Sequence, residues 1–362
     1  MIIRDVILYE QNIPLKTPFT TALRRVDSLN SLVIKLITDN GVCGYGAAAP
    51  TAMVTGETMP SLVCAVRDYI KPLILDKTVD LKLTDIIKAS IAHNTSAKAA
   101  VETALYDLLA KEQGLPLFKY LGGRKSKRLE TDITISLNPP EIMAEDTKKA
   151  LSAGVEILKI KLGGTVREDI KRIDAVAEVS ADRLLRLDAN QAWSYEDALK
   201  IINHCEERMY PIEFVEQPFA ADALENMKRL KQISKLPILA DESVFAEKDA
   251  QNIAALGCTD YINIKLAKCG GITEAKKICE VAKKANIPCL MGCMLESPVG
   301  IIAAAHFAAA NDIVTMYDLD AVSLLAYNPV RSETVFSPDS ITVTDKGRGL
   351  GILSTGEMLA LG

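Results

Sequence analysis

Eight ionisable residues are spaced so that they could do chemistry together. In "EILKIKLGG" (156–164), Lys159 and Lys161 end a short apolar run two residues apart, which puts both on one face of a strand. Two ammonium groups in a packed core would be costly. Asp188, Glu216, Asp241 and Lys265 follow at intervals of about one βα unit, each at the end of a similar run, and Asp318 and Asp320 close the series. Three carboxylates (Asp188, Glu216, Asp241) with no His or Cys among them suit a hard cation, Mg²⁺ foremost, which keeps positions open for substrate oxygens. Lysines on either side of it suggest proton transfer. A proton α to a carboxylate is very weakly acidic, and removing it requires stabilising an enediolate, which a divalent Lewis acid does. A lysine becomes a base near neutral pH only where desolvation or another cation disfavours its charge. Lys159 beside Lys161, with a metal near both, meets that condition.

The elements that must hold these residues are legible in the pattern. Apolar strand-like runs recur at "TDITISL" (131–137), "VEILKIKL" (155–162), "RLLRLDA" (183–189), "IEFVEQ" (212–217), "LPILADES" (236–243), "DYINIKL" (260–266), "IPCLMGC" (287–293) and "IVTMYDLD" (313–320), with helical segments between them. Strands alternating with helices predict a parallel sheet, and eight such units predict a closed barrel with its active site at the strands' C-terminal ends. The second and sixth of eight strands lie opposite one another, so Lys161 and Lys265 are expected to face each other across the barrel mouth. An open dinucleotide-binding sheet is not supported. Neither "GYGAAAP" nor "GRGLG" (347–351) forms a G-x-G-x-x-G turn after a first strand and before a helix. Ahead of the barrel, residues 1–50 alternate as a β-meander, and "SAKAAVETALYDLLAKEQG" carries a helical apolar stripe of Ala100, Ala104, Leu105, Leu108 and Leu109, stopped by Gly114. The expected organisation is an α+β capping domain over 1–125, completed by 321–362, around an α/β barrel over 126–320.

Composition narrows the function classes. The chain is 49% apolar and 25% charged with a net charge of −5, and its Lys and Arg are scattered, so nucleic acid is not an expected partner. No apolar run is long enough to span a bilayer, and "MIIRDVILYEQNIPL" lacks a signal peptide's apolar segment and cleavage site; no membrane association and a cytoplasmic location are expected. Eight cysteines form no C-x-x-C pair, which points to reduced thiols rather than disulfides or a metal site.

With these residues in place the chain resembles the enolase superfamily, muconate-lactonising subgroup. The K-x-K strand end, the Asp/Glu/Asp set and the lysine of the sixth strand carry the resemblance over nearly the whole chain. It implies a (β/α)7β TIM-type barrel with an N-terminal capping domain and one essential Mg²⁺ per active site. Within the subgroup the chain is most similar to dipeptide epimerases. "MYDLD" resembles their D-x-D motif, which implies that Asp318 and Asp320 hold a substrate ammonium. "PFTTALRRV" resembles their capping loop, which implies that Arg24 meets a Glu side chain. Thr134, Glu296 and Ser297 complete the substrate contacts the resemblance implies. The expected reaction is a two-base 1,1-proton transfer at the α-carbon of a dipeptide's second residue, Ala-Glu foremost, with Lys161 and Lys265 as bases and Lys159 tuning Lys161 and hydrogen-bonding the substrate carboxylate. A small dipeptide is the expected partner, metabolism of peptidoglycan peptides the expected setting, and a homo-oligomer the expected assembly. Two alternatives stay open at this point: an o-succinylbenzoate synthase or another muconate-lactonising-type cycloisomerase or racemase using the same lysines, and a non-catalytic barrel serving as a binding module.

Overall fold

In a computed structural model, which describes residues 1–22 and 24–361, the polypeptide forms a parallel eight-stranded sheet capped by an antiparallel one. Leu23, within the expected capping loop, and Gly362, the last residue of the expected C-terminal return, lie outside the described residues. Each apolar run of the second half becomes a strand: Ile133–Ile135, Ile157–Lys161, Leu184–Asp188, Ile212–Glu216, Ile238–Ala240, Tyr261–Ile264, Cys289–Gly292 and Val314–Asp318. Neighbours pair in sequence order, all parallel. A parallel bridge between Thr131 and Tyr317 joins the last strand to the first, and the Leu319 amide donates to Thr131 Oγ1 at 2.8 Å, closing the ring.

The two-residue alternation of the strands sets out the interior in layers. Phe214, Leu239, Leu290 and Met316, with Tyr261 against them, form a small apolar cluster of their own inside the ring. Arg186 is buried there too, its guanidinium 5.2 Å from the centre of the Phe214 ring and tied to Asp132 at 2.7 Å and Glu213 at 2.6 Å. Two residues further along each strand the same face carries Asp188, Glu216, Asp241 and Asp318. One apolar layer therefore underlies a polar layer at the barrel mouth. The outward faces of the strands and the helices around them bury the large core, among it Ile160, Leu187, Val215 and Ile264.

The cap sheet is built from Ile3–Thr20, Arg25–Thr38 and Cys43–Ala48. Leu359–Leu361 pairs with its first strand, whereas Ser340–Val343 pairs with Lys127–Glu130 just ahead of the barrel, so the C-terminal return serves both parts of the fold. The helix Thr95–Glu112 lies across this sheet and is buried almost all round, beyond the single stripe its pattern predicts. The "GYG" glycines explain how it comes so close. A Cβ at Gly46 would stand 1.9 Å from the Ala100 carbonyl oxygen, and one at Gly44 would stand 2.2 Å from that of Ala104. No described helix is long and apolar enough to cross a membrane.

Candidate active site

The polar layer at the barrel mouth brings Lys159, Lys161, Asp188, Glu216, Asp241, Lys265, Asp318 and Asp320 together, all of them buried. Lys159 is the hub. Its Nζ lies 2.7 Å from Asp318, 3.0 Å from Asp188 and 2.6 Å from Glu216 Oε2, the last an ionic contact out of line for a hydrogen bond. Lys161 donates to Asp188 Oδ2 at 2.6 Å, and Lys265 donates to Asp241 Oδ2 at 2.7 Å. Asn263, one inward position before Lys265, donates to Glu216 Oε1 at 2.8 Å. Asn190, in the turn after the third strand, donates its amide to Asp188 Oδ1 at 2.9 Å.

These ion pairs set the protonation states. Burial alone would raise Asp188, but the adjacent Lys159 and Lys161 bring it down to about 2. Asp241 is held well below the usual range in the same way, against its burial, by Lys265, Lys268 and Lys159. Asp318 is lowered too: its burial is outweighed by Lys159, Lys265 and Lys161. Asp320, which has no ammonium of its own, is raised to about 6 by burial and by Asp318. Burial pulls Lys265 down, yet Asp241 wins and raises it; Lys159 is raised likewise by Asp188 and Asp318 against burial. In the chain by itself Lys265 and Lys159 are favoured as ammonium ions, because each faces carboxylates; the depressed lysine pKa expected from the sequence is the one a metal beside them would produce.

Asp188, Glu216 and Asp241 are buried carboxylates on consecutive strands, and the donor chemistry suits Mg²⁺. Each is drawn toward an ammonium. The acidic and thiol side chains that crowd within 4.8 Å of one another, among the described residues, are Cys293, Asp318 and Asp320. A thiol is a poor Mg²⁺ ligand and Asp320 Oδ2 accepts from the Thr134 amide at 2.7 Å, so by donor chemistry the three strand-end carboxylates are the residues that could hold a hard cation.

Two small cavities open on this layer. One, of about 40 Å³, is lined by Lys159, Thr134, Asp318, Asp320 and Leu324. The other, of about 70 Å³, is lined by Arg24, Met53, Asn190, Asp241 and Glu242. Phe19, Lys161, Lys265, Cys293, Met294 and Leu295 line both. Arg24 and Arg25 part company here. Arg25 is exposed and lies 4.0 Å from Asp27, while Arg24 turns into the second cavity, where burial lowers its pKa and no described carboxylate comes within ion-pair range.

Glu296 and Ser297 are not among the walls of either cavity. Glu296 folds back to accept from the Met294 amide at 3.0 Å and lies over Gly300; burial raises it to about 7. Ser297 caps the helix Pro298–Ala310 and donates to Gln11 at 2.7 Å. Lys268 is the residue the sequence reasoning missed. It lies three positions after Lys265 in "KLAKCGG", on a short helix, and is buried against Asp241 Oδ1 (2.5 Å), the Asp241 carbonyl and the Asn263 carbonyl (3.1 Å). Only the repeat of a lysine one helical turn on could have signalled it. Lys268→Met would leave Asp241 Oδ1 and the two carbonyls without this donor, while Asp241 keeps Lys265, and a loss of roughly 1–3 kcal/mol in urea unfolding is expected. A loss below about 1 kcal/mol would show that Lys268 does not clamp Asp241.

Comparison with known proteins follows the same lines. Residues 3–122 match the mandelate racemase / muconate lactonizing enzyme N-terminal domain, and residues 142–356 match the enolase C-terminal domain-like family. The chain is 43% identical over 355 residues to the L-Ala-D/L-Glu epimerase of Clostridium acetobutylicum, covering 97% of this chain and 99% of that protein. Its fold superposes with a TM-score of 0.96 on a substrate-liganded L-Ala-D/L-Glu epimerase from Bacillus subtilis (39% identity, covering 99% of this chain and 100% of that one). The TM-score is 0.92 with a dipeptide epimerase from Enterococcus faecalis complexed with Mg and L-Leu-L-Tyr (37% identity, covering 97% and 99%).

Proposed function

The chain belongs to the mandelate racemase / muconate lactonizing enzyme family of the enolase superfamily, and from that membership we propose that it is a dipeptide epimerase, with L-Ala-D/L-Glu as its substrate. The observation that carries this is the pair of cavities sharing Lys161 and Lys265, one floored by two aspartates and the other faced by an arginine. A dipeptide ending in Glu offers an ammonium for the first and a side-chain carboxylate for the second. Its α-carbon then falls between the two lysines.

In this reading Asp318 and Asp320 bind the α-ammonium, with the Thr134 amide fixing Asp320. Arg24 binds the Glu side chain. Asp188, Glu216 and Asp241 would hold Mg²⁺, which when bound stabilises the negative charge that grows on the substrate carboxylate as the α-proton leaves. One lysine, released from its carboxylate and neutral, takes the α-proton from one face. The other, still an ammonium, gives a proton to the opposite face. The two lysines thereby exchange protonation states, and the reverse reaction starts from the other one. Lys159, cationic throughout, neutralises the crowded carboxylates and presents a donor to the substrate carboxylate. The capping unit over 1–125 supplies Phe19 and Arg24, and the barrel over 126–320 supplies the acids and bases. All eight cysteines are free thiols, which supports a reducing compartment such as the cytoplasm. Small peptides released from peptidoglycan fit the proposed specificity.

The test is a panel of L,L-dipeptides incubated with enzyme and Mg²⁺ in D₂O, read by mass spectrometry. Deuterium is expected at the second residue's α-carbon, fastest with Ala-Glu. Preference for cationic or large apolar second residues would reject the role of Arg24. Exchange on no dipeptide, with turnover of the o-succinylbenzoate synthase substrate instead, would sink the reading.

A further inference from the structure

A cleft of about 640 Å³ adjoins the smaller of the two reaction cavities, and its walls are mostly apolar, with Ile133, Ile135, Val155 and Leu325 among them. Phe19, Thr134 and Leu324 line both spaces and so form the partition between them. Thr134 is fixed: it belongs to the first barrel strand, pairs with Lys159 in the sheet register, and commits its amide to Asp320. Phe19 and Leu324 are the adjustable members. Leu324 ends the short helix Ala321–Leu324 that starts directly after Asp320. Both side chains are half-buried and pack against the cluster of Ile13, Leu15, Leu29 and Leu325.

Both aspartates and Leu324 line the same small cavity, so an ammonium seated on Asp318 and Asp320 would set the first residue of a dipeptide beside this partition. We propose that Leu324, with Phe19, is the determinant that restricts the first residue to small side chains, and that the apolar cleft behind it is latent space for a larger one. This rests on the dipeptide reading above. A cavity of about 40 Å³ leaves little room beyond the ammonium end of the substrate, whereas the neighbouring cleft would hold a leucine or phenylalanine side chain with room to spare. The wall thus makes the choice, since apolar pockets discriminate by what they exclude, by about 10–200-fold for one methylene.

The test compares α-deuterium exchange for L-Ala-L-Glu, L-Leu-L-Glu and L-Phe-L-Glu with the wild-type enzyme and Leu324→Ala. The wild type is expected to favour Ala-Glu by at least about ten-fold in kcat/KM. In Leu324→Ala the Leu-Glu to Ala-Glu ratio is expected to rise at least about ten-fold, mainly through KM. Ala150→Phe, on the helix that walls the cleft, added to Leu324→Ala is expected to take that gain away. Leu324→Val, a smaller perturbation, is expected to move the ratio the same way by less, and serves if Leu324→Ala does not fold. The proposal is overturned if the wild type turns over Leu-Glu as well as Ala-Glu. It is equally overturned if the ratio does not move in a folded variant, or if the gain survives Ala150→Phe. Exchange on no dipeptide by any of these proteins would overturn the epimerase reading, and this inference with it; exchange with unchanged selectivity overturns this inference alone.

Discussion

Lys161→Ala and Lys265→Ala are each expected to abolish epimerisation, by at least about 10³-fold, while each still exchanges the α-proton of a single substrate isomer with solvent deuterium. The asymmetry follows from position. The two lysines stand on the second strand and just past the sixth of an eight-stranded ring, and both line both reaction cavities. A carbon held between them shows one face to each. With Lys161 removed, Lys265 can still take and return a proton on its own side, so one isomer exchanges and the other does not; Lys265→Ala gives the complementary result. The variants are expected to remain folded. Asp188, deprived of Lys161, keeps Lys159 at 3.0 Å, and Asp241, deprived of Lys265, keeps Lys268. Exchange of both isomers by either variant, or epimerisation near the wild-type rate, would refute the two-base assignment.

Removal of Mg²⁺ with a chelator is expected to cut exchange and epimerisation by at least about 10³-fold without unfolding the protein, with activity restored by Mg²⁺. Loss of activity follows from the chemistry: lysine alone does not provide for the charge that a departing α-proton leaves behind. Survival of the fold follows from the ion pairs. Three buried carboxylates stripped of every counter-charge would be strongly destabilising. Here Asp188, Glu216 and Asp241 are each in contact with a lysine ammonium, so the polar layer is neutralised from within the chain. The fall in Tm on chelation is therefore expected to be the modest one that loss of a bound ligand produces by mass action. Exchange persisting after exhaustive dialysis would remove the metal from the reaction. Unfolding on chelation would show that the lysines do not provide the counter-charge.

Much of the polar layer at the barrel mouth is legible in one sequence because its position is set by two short periods. A residue two places beyond an apolar one shares its strand face, and a βα unit returns the chain to the next strand at a near-constant interval. Lys159, Lys161, Asp188, Glu216, Asp241, Lys265 and Asp318 obey both periods, so their convergence follows from local pattern plus ring closure. Residues outside those periods are less accessible. "CMLESP" reads as substrate contact; here Glu296 accepts from the Met294 amide and Ser297 from the Val299 amide, within their own loop and helix start. Adjacent Arg24 and Arg25 are indistinguishable in type, and only the path of the loop sends one into the cavity and the other to solvent.

The sequence by itself determined the barrel, its order of strands and the convergence of carboxylates and lysines at its mouth, because each depends on spacing within a few dozen residues. The tertiary structure alone decided which ammonium faces which carboxylate, that Lys268 clamps Asp241 from behind, and that Phe19 and Leu324, some three hundred residues apart, share one wall. Those features are contacts between distant segments. Their energies depend on distance and burial in three dimensions, which no periodicity along the chain encodes.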